Sequence, residues 1–291
     1  MMVGNTKLVK LNKILKELDC ENNIYAKVEG TNPSGSIKDR ACYYMLTKLK
    51  EDKKLVDGGV VVEATSGNMG ISLAYFQKEL NYQAVIVMPA SMSRERRQMI
   101  TSLGARLEIV NGGMKEANEV ANKIVNETKN AILFHQFDDP NNAYAHYLTT
   151  AREIKKEIDM DYFFAGIGTG GTISGVAKFY KENKEKTKII GVEPYESPLL
   201  TKGEAHPHLI QGIGANFVPK ILELKYVDEV TTIKGEDAIK MAKMIREIEA
   251  IDCGYSSGAA LAACINYLKE HSIEGKNVVV IFPDRGDRYS W

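Results

Sequence analysis

Lys38 stands in a sequence context that suits a reactive amine. It follows the turn-forming residues Pro33 and Gly35, and Ser34 or Ser36 is placed to cap the helix predicted to begin there. Lys38 then lies in the first helical turn, where the positive end of the helix dipole disfavours its charged form. Such a lysine can act as a nucleophile and as a general base. Taken alone, Lys38 is also compatible with an ordinary solvated lysine.

The segment 166–172, GIGTGGT, is a glycine-rich loop between a predicted strand and a predicted helix. Glycines let backbone N–H groups close around an anion, and the helix N-terminus adds a favourable dipole. Thr169 and Thr172 add hydroxyl donors, so the loop predicts a phosphate site. The glycine spacing also fits GxGxxG, and Glu193 ends the next predicted strand, where it could bind a ribose. From this segment alone, an NAD-dependent oxidoreductase is an alternative.

The composition favours a small-molecule substrate. The chain has 291 residues, which is enough for two domains, and 44% of them are hydrophobic. Lys plus Arg and Asp plus Glu both total 38, so there is no electrostatic case for nucleic acid or an anionic membrane. No apolar run approaches the ~20 residues of a membrane span, and the N-terminal segment lacks a signal-peptide core.

Cysteine and histidine usage gives two further expectations. Four widely spaced cysteines without a CxxC pair indicate a reducing compartment, so we predict a cytoplasmic protein. His206 and His208 have a spacing that metal ligands can have, but no cysteine or carboxylate cluster accompanies them. We therefore predict no metal site.

Apolar runs that alternate with helical patterns predict an α/β protein with mostly parallel sheets covered on both faces. Three loops, at 65–70, 168–172 and 253–260, are each predicted to follow a strand and could converge on one ligand. The predicted strands are 24–29, 60–64, 84–88, 107–110, 162–167, 188–193 and 278–282.

Eight motifs in order carry a resemblance that extends from Gly4 to Trp291: GTNPSGSIKDR, EATSGNMG, MPASMSRERR, QFDDPNNAYAHY, GIGTGGTISG, GVEPYESP, IQGIGANFVP and CGYSSGAA. The chain resembles the cysteine synthase (O-acetylserine sulfhydrylase) family. Its relatives include cystathionine β-synthase, among the fold-type II, tryptophan-synthase-β-like enzymes that use pyridoxal 5′-phosphate. The resemblance implies two three-layer αβα domains with the cofactor in the cleft between them. The smaller, mobile domain would span 39–143, and the larger, cofactor-binding domain 1–38 plus 144–291.

The resemblance also implies residue roles. Lys38 would bind the cofactor as a Schiff base, Asn68 its ring hydroxyl and Ser256 its pyridine nitrogen. The cofactor phosphate would be held by Gly168, Thr169, Gly170, Gly171 and Thr172. The substrate pocket would include Thr65, Ser66, Asn68, Met69, Gln136, Gly212, Ala215 and Asn216.

The implied reaction is β-replacement, in which O-acetyl-L-serine and sulfide give L-cysteine through an α-aminoacrylate, with Lys38 as the base. Alternatives with the same cofactor are cystathionine β-synthase, O-phosphoserine sulfhydrylase and sulfide-releasing cysteine lyase activities. A homodimer is expected. An inactive or scaffold relative that binds serine acetyltransferase is a further alternative.

Two residues of the predicted substrate pocket depart from the family pattern. Met69 stands where threonine is usual, which removes one hydroxyl donor, and Asn216 replaces a glycine. Ala215 agrees with the cysteine synthases. The substrate could therefore differ from O-acetylserine.

Overall fold

A computed structural model describes residues 2–65, 67–91 and 93–291. Strands and helices are numbered in chain order. The strands are β1 (Leu8–Lys10), β2 (Asn23–Val28), β3 (Gly59–Ala64), β4 (Tyr82–Pro89), β5 (Arg106–Val110), β6 (Ala131–Leu133), β7 (Tyr162–Gly166), β8 (Lys188–Pro194), β9 (Glu229–Ile233) and β10 (Asn277–Phe282).

The helices alternate with these strands over most of the chain. They are α1 (Lys13–Glu17), α2 (Lys38–Glu51), α3 (Asn68–Phe76), α4 (Arg94–Ser102), α5 (Met114–Glu127), α6 (Asn141–Leu148), α7 (Thr150–Glu157), α8 (Gly171–Glu182), α9 (Leu199–Lys202), α10 (Gly235–Met244) and α11 (Tyr255–Glu270). Within the described ranges, no helix is both long and apolar enough to cross a membrane.

Two separate sheets organise the molecule. The six-stranded sheet has the order β1-β2-β10-β7-β8-β9, and the four-stranded sheet has the order β5-β4-β3-β6. All neighbouring pairs are parallel except β1 with β2. This arrangement confirms the predicted α/β class with mostly parallel sheets.

Both sheets are buried on both faces, which explains their apolar strands. In β10, Val278 and Val280 pack in one core cluster, whereas Val279 and Ile281 pack in another on the opposite face. The same alternation in β3 and β4 divides their side chains between two further clusters. Since successive side chains point to opposite faces, each strand needs apolar residues throughout.

The strands missing from the prediction lie at sheet edges. β1 and β9 flank the six-stranded sheet, and β6 flanks the four-stranded sheet. β1 and β6 have three residues each, and β9 is half-buried along most of its length. Short or half-exposed strands lack the continuous apolar run by which the inner strands were recognised.

The segment 253–260 was wrongly predicted to follow a strand. It follows α10, which continues as a π-helical turn over Ile245–Glu249 and ends at Ala250 in the left-handed conformation (φ 55°). The segment itself enters α11 at Tyr255. The apolar residues before it therefore belong to a helix that packs on α11.

Candidate active site

A cavity of about 760 Å³ lies beyond the carboxyl ends of strands from both sheets. Thr65 follows β3, Gly168 follows β7 and Pro283 follows β10, and all three line it. Crevices at the carboxyl ends of parallel strands are the usual ligand sites of α/β proteins. The volume suits a small cofactor together with a small substrate.

The cavity brings together every described residue that was predicted for the site. Ser66 was also predicted, but it lies outside the described residues. The predicted residues that line the cavity are Lys38, Thr65, Asn68, Met69, Gln136, Gly168, Thr169, Gly170, Gly171, Thr172, Gly212, Ala215, Asn216 and Ser256.

Lys38 is the first residue of α2 and is half-buried in the cavity wall. The backbone N–H of Ile37 donates to the Pro283 carbonyl at 2.7 Å, which ties this turn to the end of β10. The Ser36 hydroxyl accepts from the Lys38 N–H at 3.3 Å, whereas Ser34 bonds to Asp39. Burial lowers the pKa of the Lys38 amine, and the nearby Asp284 carboxylate offsets part of that shift. A larger neutral fraction favours nucleophilic and basic behaviour.

The glycine-rich loop is closely packed as it enters α8. Gly170 adopts the left-handed conformation (φ 84°) immediately before the first helical residue, Gly171. A Cβ at Gly168 would overlap the carbonyl oxygen of Gly212, and a Cβ at Gly171 would overlap the side chain of Asn142. The absence of side chains at these glycines therefore lets Gly212 and Asn142 approach the loop closely. The first N–H groups of α8 lack partners within the helix, so they are available to bind an anion.

Two polar residues of α6 support this loop from behind. The Asn142 amide donates to Thr169 Oγ1 at 3.2 Å and to the Gln136 carbonyl at 2.8 Å. His146 contacts the Thr172 hydroxyl at 3.3 Å and the Thr150 hydroxyl at 2.9 Å. Burial holds the pKa of His146 well below its ordinary value, so the ring is neutral and can donate through only one nitrogen.

Asn142 and His146 were not predicted for the site. They lie four residues apart in the NNAYAHY segment, so they share one face of α6. A pair of polar residues on one helix face is the feature of the sequence that could have pointed to a role for them. The loop that they contact is more than twenty residues away, so the local sequence does not identify it.

The Asn68 amide is oriented by the C-terminal segment. Its nitrogen donates to Asp284 Oδ2 at 2.7 Å, and its oxygen accepts from Arg288 at 3.0 Å. Tyr289 also donates to Asp284 Oδ2 at 2.7 Å. Burial raises the pKa of Asp284, although the bonds from Tyr289 and Asn68 act in the opposite direction. These C-terminal residues were not predicted for the site.

These residues fit pyridoxal 5′-phosphate. The start of α8 offers backbone N–H groups for a phosphate, and Lys38 offers an amine for the aldehyde. Ser256 offers a buried hydroxyl in the first turn of α11 for the pyridine nitrogen. When bound, this cofactor withdraws electrons from the carbons of an amino acid attached to it.

A dinucleotide fits the site less well, because Glu193 is already engaged. Its carboxylate accepts from the Leu200 N–H at 2.8 Å and from the N–H and hydroxyl of Thr201 at 2.9 and 2.6 Å. Glu193 therefore caps the N-terminus of the short helix α9, and its carboxylate is not available to bind a ribose.

Comparisons with known proteins agree with this geometry. Residues 1–284 match the family model described as pyridoxal-phosphate dependent enzyme. Cysteine synthase B of Campylobacter jejuni is 46% identical over 99% of this chain and 95% of its own length. Cysteine synthase A of Escherichia coli is 42% identical over 99% and 92%, respectively.

A solved structure gives the same result at the level of the fold. A hydrogen sulfide-producing enzyme from Fusobacterium nucleatum superposes with a TM-score of 0.94 at 39% identity, covering 99% of this chain and 97% of that one. Identity at this level over the full length goes beyond a shared fold. The chain therefore belongs to the pyridoxal-phosphate-dependent enzymes, in the group of the cysteine synthases.

Proposed function

We propose that this enzyme makes L-cysteine from O-acetyl-L-serine and sulfide by β-replacement. The observation that carries the proposal is the half-buried Lys38 amine, whose pKa is lowered, in a cavity that also contains the start of α3 and the glycine-rich loop. A neutral amine at this position takes the Cα proton of the substrate and later returns it. Sulfide replaces the acetate at Cβ.

The start of α3 is the proposed site for the substrate carboxylate. Thr65 Oγ1 accepts from the Gly67 N–H at 3.4 Å, which leaves its hydroxyl hydrogen available to a carboxylate. Asn68 begins the helix, and a helix N-terminus attracts an anion. Gln136 reaches the same cavity from the segment after β6. The usual threonine is replaced by Met69, which is buried in the apolar cluster beneath the helix and offers no hydroxyl.

We further propose that residues 39–143 move as a unit against 1–38 plus 144–291. The four-stranded sheet and the carboxylate-binding segment belong to the first unit, whereas the glycine-rich loop and Ser256 belong to the second. Closure around a bound carboxylate would exclude water from the reacting carbons.

A cluster of aromatic rings around the exposed Tyr144 supports a homodimer. Tyr144 is 45% exposed, packs edge-on against Tyr44 at 5.9 Å and stacks on Tyr147 at 5.7 Å between ring centroids. Exposed apolar patches of this kind mark interaction surfaces. A sedimentation mass twice that of the 32.3 kDa chain is the expected result.

Two finer assignments complete the proposal. All four cysteines are free among the described residues, which supports a reducing, cytoplasmic location. A groove that binds a substrate carboxylate would also suit a C-terminal carboxylate, so the tail of serine acetyltransferase is a candidate partner.

Sulfide-releasing breakdown of cysteine is the second candidate, because the hydrogen sulfide-producing enzyme is similar over nearly the whole chain. Synthesis and breakdown share the removal of the Cα proton, and they differ in the group that leaves Cβ. Only synthesis, in which sulfide adds to Cβ, requires the proton to be returned to Cα.

An absorption titration tests the proposal. The purified protein with pyridoxal 5′-phosphate should show a visible band that O-acetylserine shifts and sulfide restores, with cysteine as the product. A band that responds to cysteine with sulfide release, but not to O-acetylserine, would replace synthesis with breakdown. A protein that does not take up the cofactor would refute both. The variant Lys38→Ala controls for unspecific colour.

A further inference from the structure

Glu63 is a buried carboxyl group in the wall of the cavity. It lies near the end of β3, two residues before Thr65, and is 5% exposed. Its Oε1 accepts from Gln136 Nε2 at 2.9 Å, and its Oε2 accepts from the backbone N–H of His135 at 3.2 Å. No reaction step described above uses this group.

We propose that ionised Glu63 is a positioning residue, which holds the Gln136 amide so that its second N–H faces the substrate carboxylate. This role rests on the proposed function, since it requires an amino-acid substrate in the cavity. It predicts that substrate binding weakens when Glu63 takes up a proton.

The donors around Glu63 favour its ionised form. The groups from His135 and Gln136 that bond to it are all N–H donors, and a carboxylate can accept from each of them. A protonated carboxyl would turn one O–H towards a donor and would lose that hydrogen bond. The Gln136 side chain would then be free to rotate.

The backbone at Gln136 is held independently of Glu63. Its carbonyl accepts from Asn142 at 2.8 Å, and the same amide bonds to Thr169 in the glycine-rich loop. Because of this separate anchor, protonation of Glu63 should release the side chain of Gln136 while leaving the surrounding backbone and the phosphate loop in place.

Burial, more than the charges around it, places the titration of Glu63 near neutrality. Burial raises its pKa to about 7 against the effect of the N–H donors, and Asp138 adds to the increase. Cys42 of α2 also faces it, but burial raises the pKa of that thiol so far that it stays neutral. The half-exposed His135 ring lies 3.8 Å from the Asp138 carboxylate.

The test measures binding of L-alanine, which has no β-leaving group, to the holoenzyme from pH 6 to pH 9. Relative to Glu63→Gln, the wild-type protein should bind about tenfold more tightly above pH 8, the scale of one hydrogen bond to a charged group, and this advantage should vanish towards pH 6. The α-amino group of the ligand titrates equally in both experiments, so the ratio of the two Kd values isolates Glu63.

Asp138→Asn is the matched control. Asp138 is a nearby carboxylate that makes no hydrogen bond to Gln136 and forms an ion pair with Lys220 at 3.2 Å. This variant should keep tight binding and move the midpoint to lower pH, because a negative charge near Glu63 is removed.

Thermal unfolding of the cofactor-free protein gives a readout independent of activity. The folded pKa of Glu63 lies above its unfolded value of 4.5, so the folded state binds more protons between these values. The free energy of unfolding of the wild-type protein should therefore fall, relative to that of Glu63→Gln, as the pH rises from about 4.5 to 7.

The outcomes separate the two proposals. If the wild-type protein does not bind L-alanine, the proposed function and this role are both refuted. If it binds but Glu63→Gln binds with the same affinity and pH dependence, only the role of Glu63 is refuted. That role is also refuted if Glu63 titrates in the unfolding experiment while binding does not respond. Loss of the Glu63 effect in a Gln136→Ala background would support the role.

Discussion

Lys38 and Arg40 lie two residues apart in the first turn of α2, but their surroundings are opposite. Arg40 is buried against two carboxylates, with Glu29 at 2.7 Å and Glu153 at 2.7 Å, and Lys27 lies 2.8 Å from Glu153. Lys38 faces the cavity, and Asp284 is the anion that raises its pKa.

The pKa values follow this difference. Burial would lower the pKa of Arg40, but Glu29 and Glu153 outweigh it and raise the pKa. Burial would raise the pKa of Glu153, but Arg40 and Lys27 hold it at about 2. At Lys38 and at buried Asp284 the effect of burial prevails, and it lowers the pKa of Lys38 and raises that of Asp284. A buried charge that is paired with an opposite charge stays ionised. A buried group without such a pair has a pKa closer to neutrality and can exchange a proton more readily.

The largest effect is expected for substitution of Lys38, the reactive member of the pair. Lys38→Ala removes the proposed base and should lower kcat by about 10³-fold or more, since general bases contribute about 10²–10⁴. Steady-state kinetics checks this, and urea unfolding should show that the fold is retained. Lys48→Ala on the same helix is the control, because Lys48 pairs with Glu51 on the surface. A Lys38→Ala enzyme with full turnover would contradict the assignment.

Arg40→Met tests the buried ion pairs that Arg40 forms with Glu29 and Glu153. It should destabilise the protein by about 3–5 kcal/mol, because it leaves buried Glu29 without its cation. Urea unfolding at pH 7 measures the change, and Lys48→Met should change stability by less than about 1 kcal/mol.

The loss from Arg40→Met should shrink in acid. Since the folded pKa of Glu153 is about 2, its contribution is present above the unfolded value of 4.5 and disappears as the pH falls towards 2. A loss that stays constant between pH 7 and pH 3 would show that packing, and not charge, explains the effect.

Asp284→Asn should have the smallest effect of the three. The variant keeps an oxygen that can accept from Asn68 and Tyr289, but it removes the anion near Lys38. Since that anion raises the pKa of Lys38, its removal should lower the pKa and move the acid limb of kcat to lower pH. Tyr289→Phe keeps the carboxyl group but removes a donor that favours its ionised form, so it should move the limb in the same direction by a smaller amount. An unchanged limb in Asp284→Asn would mean that Asp284 does not tune Lys38.

The predictions from sequence were most accurate where local signals were strong. The inner strands β3, β4, β7, β8 and β10 were recognised because their apolar residues are continuous. Every described residue predicted for the site lines one cavity. The edge strands β1, β6 and β9 were missed, and so was the helix that precedes the Ser256 segment, because none of them has a distinctive local pattern.

The sequence by itself determined the chemistry on offer: an amine at the start of a helix, a glycine-rich turn after a strand, and inner strands that need covering on both faces. Only the tertiary structure decided how these groups are held. Asn68 meets Asp284 across 216 residues, and Glu63 meets Gln136 across 73. Such pairs join ordinary polar residues whose effect depends on burial, and burial is a property of the folded chain as a whole.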